Sequence, residues 1–228
     1  MTTPNGFPRS RTALILAVAV PLAVLADAIL IRVAGSGGPL WQGLDDAWNG
    51  FVGGSASGLL WQLAEFHNRL GGRAGLILFG LGVIALILLR RWRSAVFACA
   101  AVAAAAFMTD GIKQVAERAR PEDLMVHTAS WAFPSGHAAR MAAFMVVIAV
   151  VAIPAARLRV WWPIAGVLVL AMMWARTWQH AHWLTDTIAG AALGWAAAML
   201  AWKACDSILA TERQWRTEPD EEAKADQR

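Results

Sequence analysis

The chain has 228 residues, of which 58% are hydrophobic and only 16% are charged, and its mean hydropathy is +0.48. Because an average soluble domain is about 45–50% apolar, this composition argues against a water-soluble enzyme and excludes a disordered or collagen-like chain. The two cysteines, Cys99 and Cys205, are too few for a disulfide scaffold.

The apolar residues form six blocks that predict six transmembrane helices. The first block covers about Thr12 to Ala34, and a secretory signal peptide at residues 1–34 is the alternative interpretation of it. Five stretches of 16 residues without charge follow at 74–89, 94–109, 141–156, 160–175 and 187–202. The sequence therefore predicts an all-α polytopic membrane protein with a six-helix bundle over residues 1–205.

The placement of Lys and Arg in the short loops predicts the orientation of this bundle. One face carries Arg9, Arg11, the 90–93 loop, the 157–159 loop and Lys203. Since short loops rich in these residues stay in the cytoplasm, we expect both termini in the cytoplasm and a plasma or inner membrane location.

Two segments lie outside the predicted spans. The segment 35–73 falls on the extracytoplasmic face, where short interfacial helices and a plain connecting loop are both open. Residues 206–228 contain seven acidic and four basic residues and predict a partly disordered cytoplasmic tail.

Ionisable residues gather at the extracytoplasmic ends of predicted helices three to six, and such residues at membrane depth usually mark function. Lys113, Arg120 and Arg176 are cations that suit phosphate oxygens. Ser135 and Gly136 open the fourth helix, where free N–H groups and close backbone approach form an anion site. The sequence therefore predicts a phosphate site at this end of the bundle.

Two histidines and one carboxylate accompany these cations. His182 and Asp186 are four residues apart and share one helical face, so the carboxylate can hold the imidazole in one tautomer. The other ring nitrogen is then free to attack, while His137 is available as a general acid. This set predicts phosphoryl transfer. We expect no metal, because this chemistry needs none and because His180 and His182, two residues apart, point to different faces of a helix. We expect no other cofactor either.

The three groups resemble the signature of the type 2 phosphatidic acid phosphatase superfamily, K-x6-R-P, P-S-G-H and S-R-x5-H-x3-D. They read here Lys113 to Arg120-Pro121, Pro134 to His137, and Ala175-Arg176 through His182 to Asp186. Ala175 stands where the family usually has Ser, which removes a hydroxyl from the implied phosphate site.

This resemblance implies a role for each matching residue. The histidine matching His182 attacks phosphorus to form a phosphohistidine, Asp186 orients that histidine, and His137 protonates the leaving group and then helps to activate water. The implied phosphate ligands are Lys113, Arg120, Ser135, Gly136 and Arg176.

The expected function is metal-independent hydrolysis of a membrane lipid phosphate. The candidate substrates are a polyprenyl diphosphate such as undecaprenyl diphosphate, phosphatidylglycerophosphate and phosphatidic acid. A lipid phosphotransferase with the same intermediate and a non-catalytic transporter or scaffold stay open as alternatives. We expect membrane lipids and no nucleic acid as partners.

The sequence also predicts the positions of four neighbouring residues. Glu117 and Arg118 are expected to face water or each other, and Arg140 to snorkel or to pair with Asp110. Trp131 is expected on the surface.

Overall fold

The fold is given by a computed structural model that describes residues 11–225, and the side chains of residues 11–212 apart from Ser36. The positively charged Arg9 used for the topology prediction lies outside these residues. The helices are α1 (Arg11–Ala34), α2 (Gln42–Val52), α3 (Gly58–Gly71), α4 (Arg73–Leu88), α5 (Trp92–Ala116), α6 (Gly136–Val151), α7 (Leu158–Trp178) and α8 (Leu184–Ala225). Short 3₁₀ turns at Gly35–Gly37 and Ala155–Arg157 complete the all-α architecture of the described chain.

Each of the six predicted apolar blocks contains a helix, although α6 ends at Val151, before the end of the block 141–156. Four helices are long and apolar enough to cross a membrane. These four are Arg11–Ala34, Trp92–Ala116, Ala155–Trp178 and Leu184–Glu212. The pair α3 and α4, bent by 45°, forms a fifth candidate when it is counted as one span. Because α6 has only 16 residues, the structure supports four or five spans, and the count of six stays a prediction.

The predicted outer segment 35–73 contains the helices α2 and α3, so this segment is helical rather than a plain loop. Their positions matter for the site described below, because Asp45 of α2 bonds to Thr185 at the start of α8, and Asn68 of α3 bonds to Arg176 near the end of α7.

The predicted tail differs from the structure. The backbone of α8 continues past Lys203 to Ala225, and Leu209 is only 2% exposed within the main apolar core. One turn further, the Glu212 carboxylate accepts hydrogen bonds from the backbone N–H groups of Arg93 and Ser94, at 3.0 and 3.1 Å. Residues 206–212 are therefore part of the bundle, because an apolar side chain and a capping carboxylate anchor them to α5.

Small residues let α6 approach the central helix α8 closely. A Cβ atom added at Gly190 would lie 2.3 Å from the Ser135 carbonyl oxygen, and one added at Gly194 would lie 1.9 Å from that of Ala139. Such a pair of glycines four residues apart allows two helix backbones to touch. This contact places the start of α6, with Ser135 to His137, directly against the first turns of α8.

Candidate active site

The three sequence motifs meet at one end of the bundle. Arg120, in the loop after α5, lies 3.2 Å from Nε2 of His182, in the turn between α7 and α8. The backbone N–H of Ser135 donates to the Asp186 carbonyl oxygen at 2.8 Å. His137, in the first turn of α6, is within electrostatic range of Arg176 and His182. Every residue that the motifs nominated therefore belongs to one cluster or borders it.

His182 is buried, with 3% of its surface exposed, and its two ring nitrogens have different partners. Nδ1 lies 2.8 Å from the Ala132 carbonyl oxygen. Because a carbonyl can only accept, Nδ1 carries the proton and Nε2 is the unprotonated nitrogen that receives the hydrogen bond from Arg120. Nε2 is therefore the ring atom that carries the lone pair, which accepts the Arg120 N–H in this structure.

The surroundings of His182 keep its ring neutral. Burial is the largest factor that lowers the pKa of His182 well below its usual value, and the cations Arg120, Arg176 and Lys113 lower it further. The hydrogen bond to Ala132 opposes this shift. A neutral imidazole is the form in which histidine acts as a nucleophile.

The sequence predicts that the Asp186 carboxylate holds His182 in one tautomer, but in the structure it makes no hydrogen bond to the ring. Its Oδ2 lies 3.6 Å from His182 Nδ1, which is beyond hydrogen-bonding distance, so the backbone carbonyl of Ala132 makes the direct bond that selects the tautomer. Oδ2 accepts from the Trp183 N–H at 2.9 Å, as in a capping box at the start of α8. The carboxylate thus places a negative charge beside the ring.

Lys113 and Arg120 are held by backbone carbonyl groups. The Lys113 ammonium and the Arg120 guanidinium both donate to the carbonyl oxygen of Trp131. Arg120 also donates to the carbonyl oxygens of Ser130, at 2.9 Å, and Ala181. Burial lowers the pKa of Arg120, which Asp186 opposes, yet arginine stays protonated in proteins. The Trp131 side chain is 41% exposed, as expected, but its backbone organises the site.

Arg176 is buried and bonded to neutral amide groups. Its guanidinium donates to the side-chain oxygens of Asn68 and, at 2.6 Å, Gln179. Its Nε has no hydrogen-bond partner among the described residues. Within the described chain, the hydrogen bonds of Lys113, Arg120 and Arg176 thus all go to neutral acceptors. Their positive charge is not neutralised by a directly bonded carboxylate, which is the electrostatic condition for binding an anion.

Ser135 is fully buried as the residue preceding α6, yet its hydroxyl makes no capping hydrogen bond. Within the described chain its Oγ has no hydrogen-bond partner at all. At Gly136 an added Cβ would meet only Thr109, at an ordinary contact distance of 3.7 Å. Packing within the protein therefore explains neither the free hydroxyl nor the glycine, and both leave room at the N-terminus of α6, where N–H groups favour an anion.

His137 lies beside the break between α3 and α4. A Cβ added at Gly71 would come within 2.5 Å of the Cδ2 atom of its ring. Arg140, one turn further along α6, donates to the Gly71 carbonyl oxygen. The glycines at the bend therefore leave room for the imidazole, and Arg140 ties α6 to the bend.

One neighbour of the first motif does not lie where the sequence placed it. Glu117 is 34% exposed and pairs with Arg32 of α1, so it faces water as predicted. Arg118 is buried with a side-chain exposure of 4% and bonds to Asp45 and Asp186. The prediction that Arg118 faces water or Glu117 was wrong, because Arg118 lies among carboxylates that are distant in sequence. Asp45 precedes Arg118 by 73 positions, and no motif links the two.

A cavity of about 920 Å³ lies next to the site. Arg120 and Trp131 are the residues of the described site that line it, whereas His137 and His182 are not among its lining residues. In the part of the chain whose side chains are described, no group of three or more His, Cys, Asp or Glu is arranged to hold a metal ion. Metal-independent chemistry stays a prediction.

The fold and the site define a multi-pass α-helical membrane protein that carries two histidines, a buried carboxylate and three cations at one end of its bundle. The family model of the PAP2 superfamily matches residues 94–207, which is half of the chain, and the chain belongs to this superfamily. The resemblance seen in the sequence is thereby confirmed.

A solved structure shares the fold. It is the crystal structure of the first transmembrane PAP2 type phosphatidylglycerolphosphate phosphatase from Bacillus subtilis, with 20% sequence identity and a TM-score of 0.65. The match covers 82% of this chain and 96% of that chain. No curated protein matches the chain.

Proposed function

We propose that this protein is a lipid phosphatase in which His182 attacks the phosphorus of a lipid phosphate monoester or diphosphate. The observation that carries the proposal is the state of His182. A carbonyl holds its Nδ1 proton, its Nε2 faces Arg120, and burial keeps the ring neutral. Three cations without directly bonded carboxylates surround the position that a phosphate would take.

In the first step, Nε2 of His182 forms a bond to phosphorus while the bond from phosphorus to the leaving oxygen breaks. Lys113, Arg120 and Arg176 bind the equatorial oxygens, together with the Ser135 hydroxyl and the N–H groups at the start of α6. His137 donates a proton to the leaving oxygen. The ring of His182 gains positive charge, which Asp186 stabilises from 3.6 Å.

In the second step, water attacks the phosphohistidine. His137, now neutral, accepts a proton from this water as the nitrogen–phosphorus bond breaks. Inorganic phosphate leaves, His182 returns to its neutral tautomer, and His137 is protonated for the next cycle. The chain's own side chains thus supply the nucleophile, the acid and base, and the charge stabilisation.

We further propose that the substrate reaches this site within the membrane. The three motifs lie at the ends of apolar helices, which suits a phosphate carried on a lipid anchor. With six spans and both termini in the cytoplasm, the site opens at the extracytoplasmic face of the cell membrane. The structural relative is described as a phosphatidylglycerolphosphate phosphatase, which makes this lipid the first candidate, beside phosphatidic acid and undecaprenyl diphosphate.

Purified protein in detergent micelles tests the proposal. Phosphate release from these three lipids is measured in EDTA for the wild type and His182→Ala, with His127→Ala as the control for an exposed histidine. We expect His182→Ala to lower kcat at least about 10⁴-fold, as for the loss of other catalytic nucleophiles, and His127→Ala to have no effect.

Three results would contradict the proposal. Equal phosphate release by the wild type and His182→Ala would exclude His182 as the nucleophile. Activity lost in EDTA and restored by Mg²⁺ would exclude metal-independent catalysis. Transfer of labelled phosphate to a lipid acceptor without free phosphate would show a phosphotransferase.

A further inference from the structure

Arg118 joins α2 to the catalytic carboxylate. Its guanidinium donates to Asp186 Oδ1 at 2.7 Å and, through the other terminal nitrogen, to Asp45 Oδ2 at 2.7 Å. It also donates to Thr185 Oγ1 at 2.9 Å and to Gln42 Oε1 at 2.7 Å. Both carboxylates are completely buried. Such a two-sided bridge requires the planar fork of arginine.

Asp45 anchors this bridge on the first turn of α8. Its Oδ1 accepts the backbone N–H of Thr185 at 2.9 Å, and its Oδ2 accepts the Thr185 hydroxyl at 2.6 Å. A carboxylate in this position satisfies a free N–H at the start of α8 and interacts favourably with the helix dipole. Asp45 therefore fixes both Arg118 and the turn that carries Asp186.

The charge balance separates Arg118 from the phosphate-binding cations. Arg118 forms two ion pairs with buried carboxylates, whereas the hydrogen bonds of Lys113, Arg120 and Arg176 within the described chain go to neutral acceptors. A guanidinium that is neutralised on both sides has little charge left for an anion. Arg118 is thus suited to hold other residues and not to bind phosphate.

We propose that Arg118 and Asp45 are positioning residues that hold Asp186 in the orientation that His182 needs. Arg118 binds Oδ1 of Asp186 and the Trp183 N–H binds Oδ2, which fixes Oδ2 at 3.6 Å from His182 Nδ1. The helix α2, which lies outside the family-matched residues 94–207, therefore belongs to the catalytic apparatus. This inference rests on the proposed role of His182.

The test combines Arg118→Lys with Asp186→Asn. Lysine keeps the positive charge but cannot bridge two carboxylates through a planar fork. Because a misplacement of about 1 Å costs up to about 10²-fold in rate, we expect Arg118→Lys to lower kcat at least about tenfold and to change KM less than about threefold. In the Asp186→Asn background, Arg118→Lys should have no further effect on kcat, since it acts through Asp186.

The matched control is Arg91→Lys, the same substitution at a partly buried arginine that pairs with Glu212. It should leave kcat unchanged even where it lowers the thermal unfolding midpoint. Asp45→Asn serves as the second variant if Arg118→Lys does not fold, and it should lower kcat with the same non-additivity. Activity is measured on whichever of the three lipids the wild type hydrolyses fastest.

The outcomes distinguish the two proposals. If His182→Ala stays active, the proposed function is wrong, whatever Arg118→Lys does. If His182→Ala is inactive but Arg118→Lys and Asp186→Asn lower kcat additively, Arg118 does not act through Asp186 and the positioning role is wrong. A rise in KM alone in Arg118→Lys would also contradict it, because that result would place Arg118 on the substrate.

Discussion

The bundle contains two clusters of buried polar groups, and they differ in how their charged members are paired. In the first cluster, Oε2 of Glu212 accepts two backbone N–H groups of α5 and Oε1 accepts the Ser94 hydroxyl, with its ion-pair partner Arg91 3.5 Å away. In the active-site cluster, the Ser135 hydroxyl has no partner within the described chain, and Arg120 and Arg176 donate to neutral acceptors. A carboxylate whose oxygens are bonded to protein groups stabilises helix packing, whereas a buried hydroxyl without a partner and cations without a bonded carboxylate suit an anionic ligand.

The comparison predicts that Glu212 matters for stability and not for catalysis. Glu212→Ala removes the carboxylate that joins α8 to the start of α5. The two backbone N–H groups then lose their acceptor, and Arg91 loses its ion-pair partner. Breaking a buried ion pair of this kind costs about 3 kcal/mol, and we expect that loss in the free energy of unfolding. Chemical unfolding in detergent measures it. Assayed while folded, the variant should keep the wild-type kcat, and a large fall in kcat would remove the distinction between the two clusters.

A smaller effect is expected in the active-site cluster, and there the substitution should lower activity and leave stability nearly unchanged. Ser135→Ala removes a buried hydroxyl that has no partner in the described chain, so stability should hardly change. A hydrogen bond to a charged group contributes about 1.5 kcal/mol or more, which corresponds to about a tenfold fall in kcat/KM for a lipid phosphate. Thr109→Ala is the control, because this buried hydroxyl already donates to the Ala105 carbonyl. Unchanged kcat/KM in Ser135→Ala would show that Ser135 does not contact phosphate.

The two clusters also show what the sequence can predict. The structure brings together His182, Asp186 and Lys113, which the motifs nominated because charged residues at membrane depth stand out against apolar neighbours. The direct partner of His182 could not be predicted in this way. It is the carbonyl of Ala132, and a backbone acceptor leaves no signal in the residue type.

Contacts between distant segments were missed for a related reason. Asp45 and Arg118 look like ordinary surface charges in the sequence, and only the fold of α2 onto α8 brings them together. Glu212 lies in an acid-rich segment that resembles a disordered tail, while the groups that it caps are 118 and 119 positions earlier. Composition describes a segment by itself and carries no information about such partners.

The pH dependence of the first chemical step provides the last distinction, and here no fall in rate is expected at lower pH. Because burial and neighbouring cations lower the pKa of His182, its neutral form persists as the pH falls through the ordinary histidine value of about 6.5. The rate of phosphohistidine formation in a single turnover should therefore not fall between about pH 7.5 and about pH 5.5. An unshifted histidine would lose about tenfold over this range, because its nucleophilic form would be protonated.

Rapid quenching with labelled lipid measures that step separately from the hydrolysis of the intermediate. Unfolding midpoints at both pH values serve as the control for loss of the fold. A tenfold fall in the rate of phosphohistidine formation, with the fold intact, would mean that the pKa of His182 is not lowered and is like that of a surface histidine. The active-site cluster would then not be the buried, cation-rich environment that separates it from the Glu212 cluster.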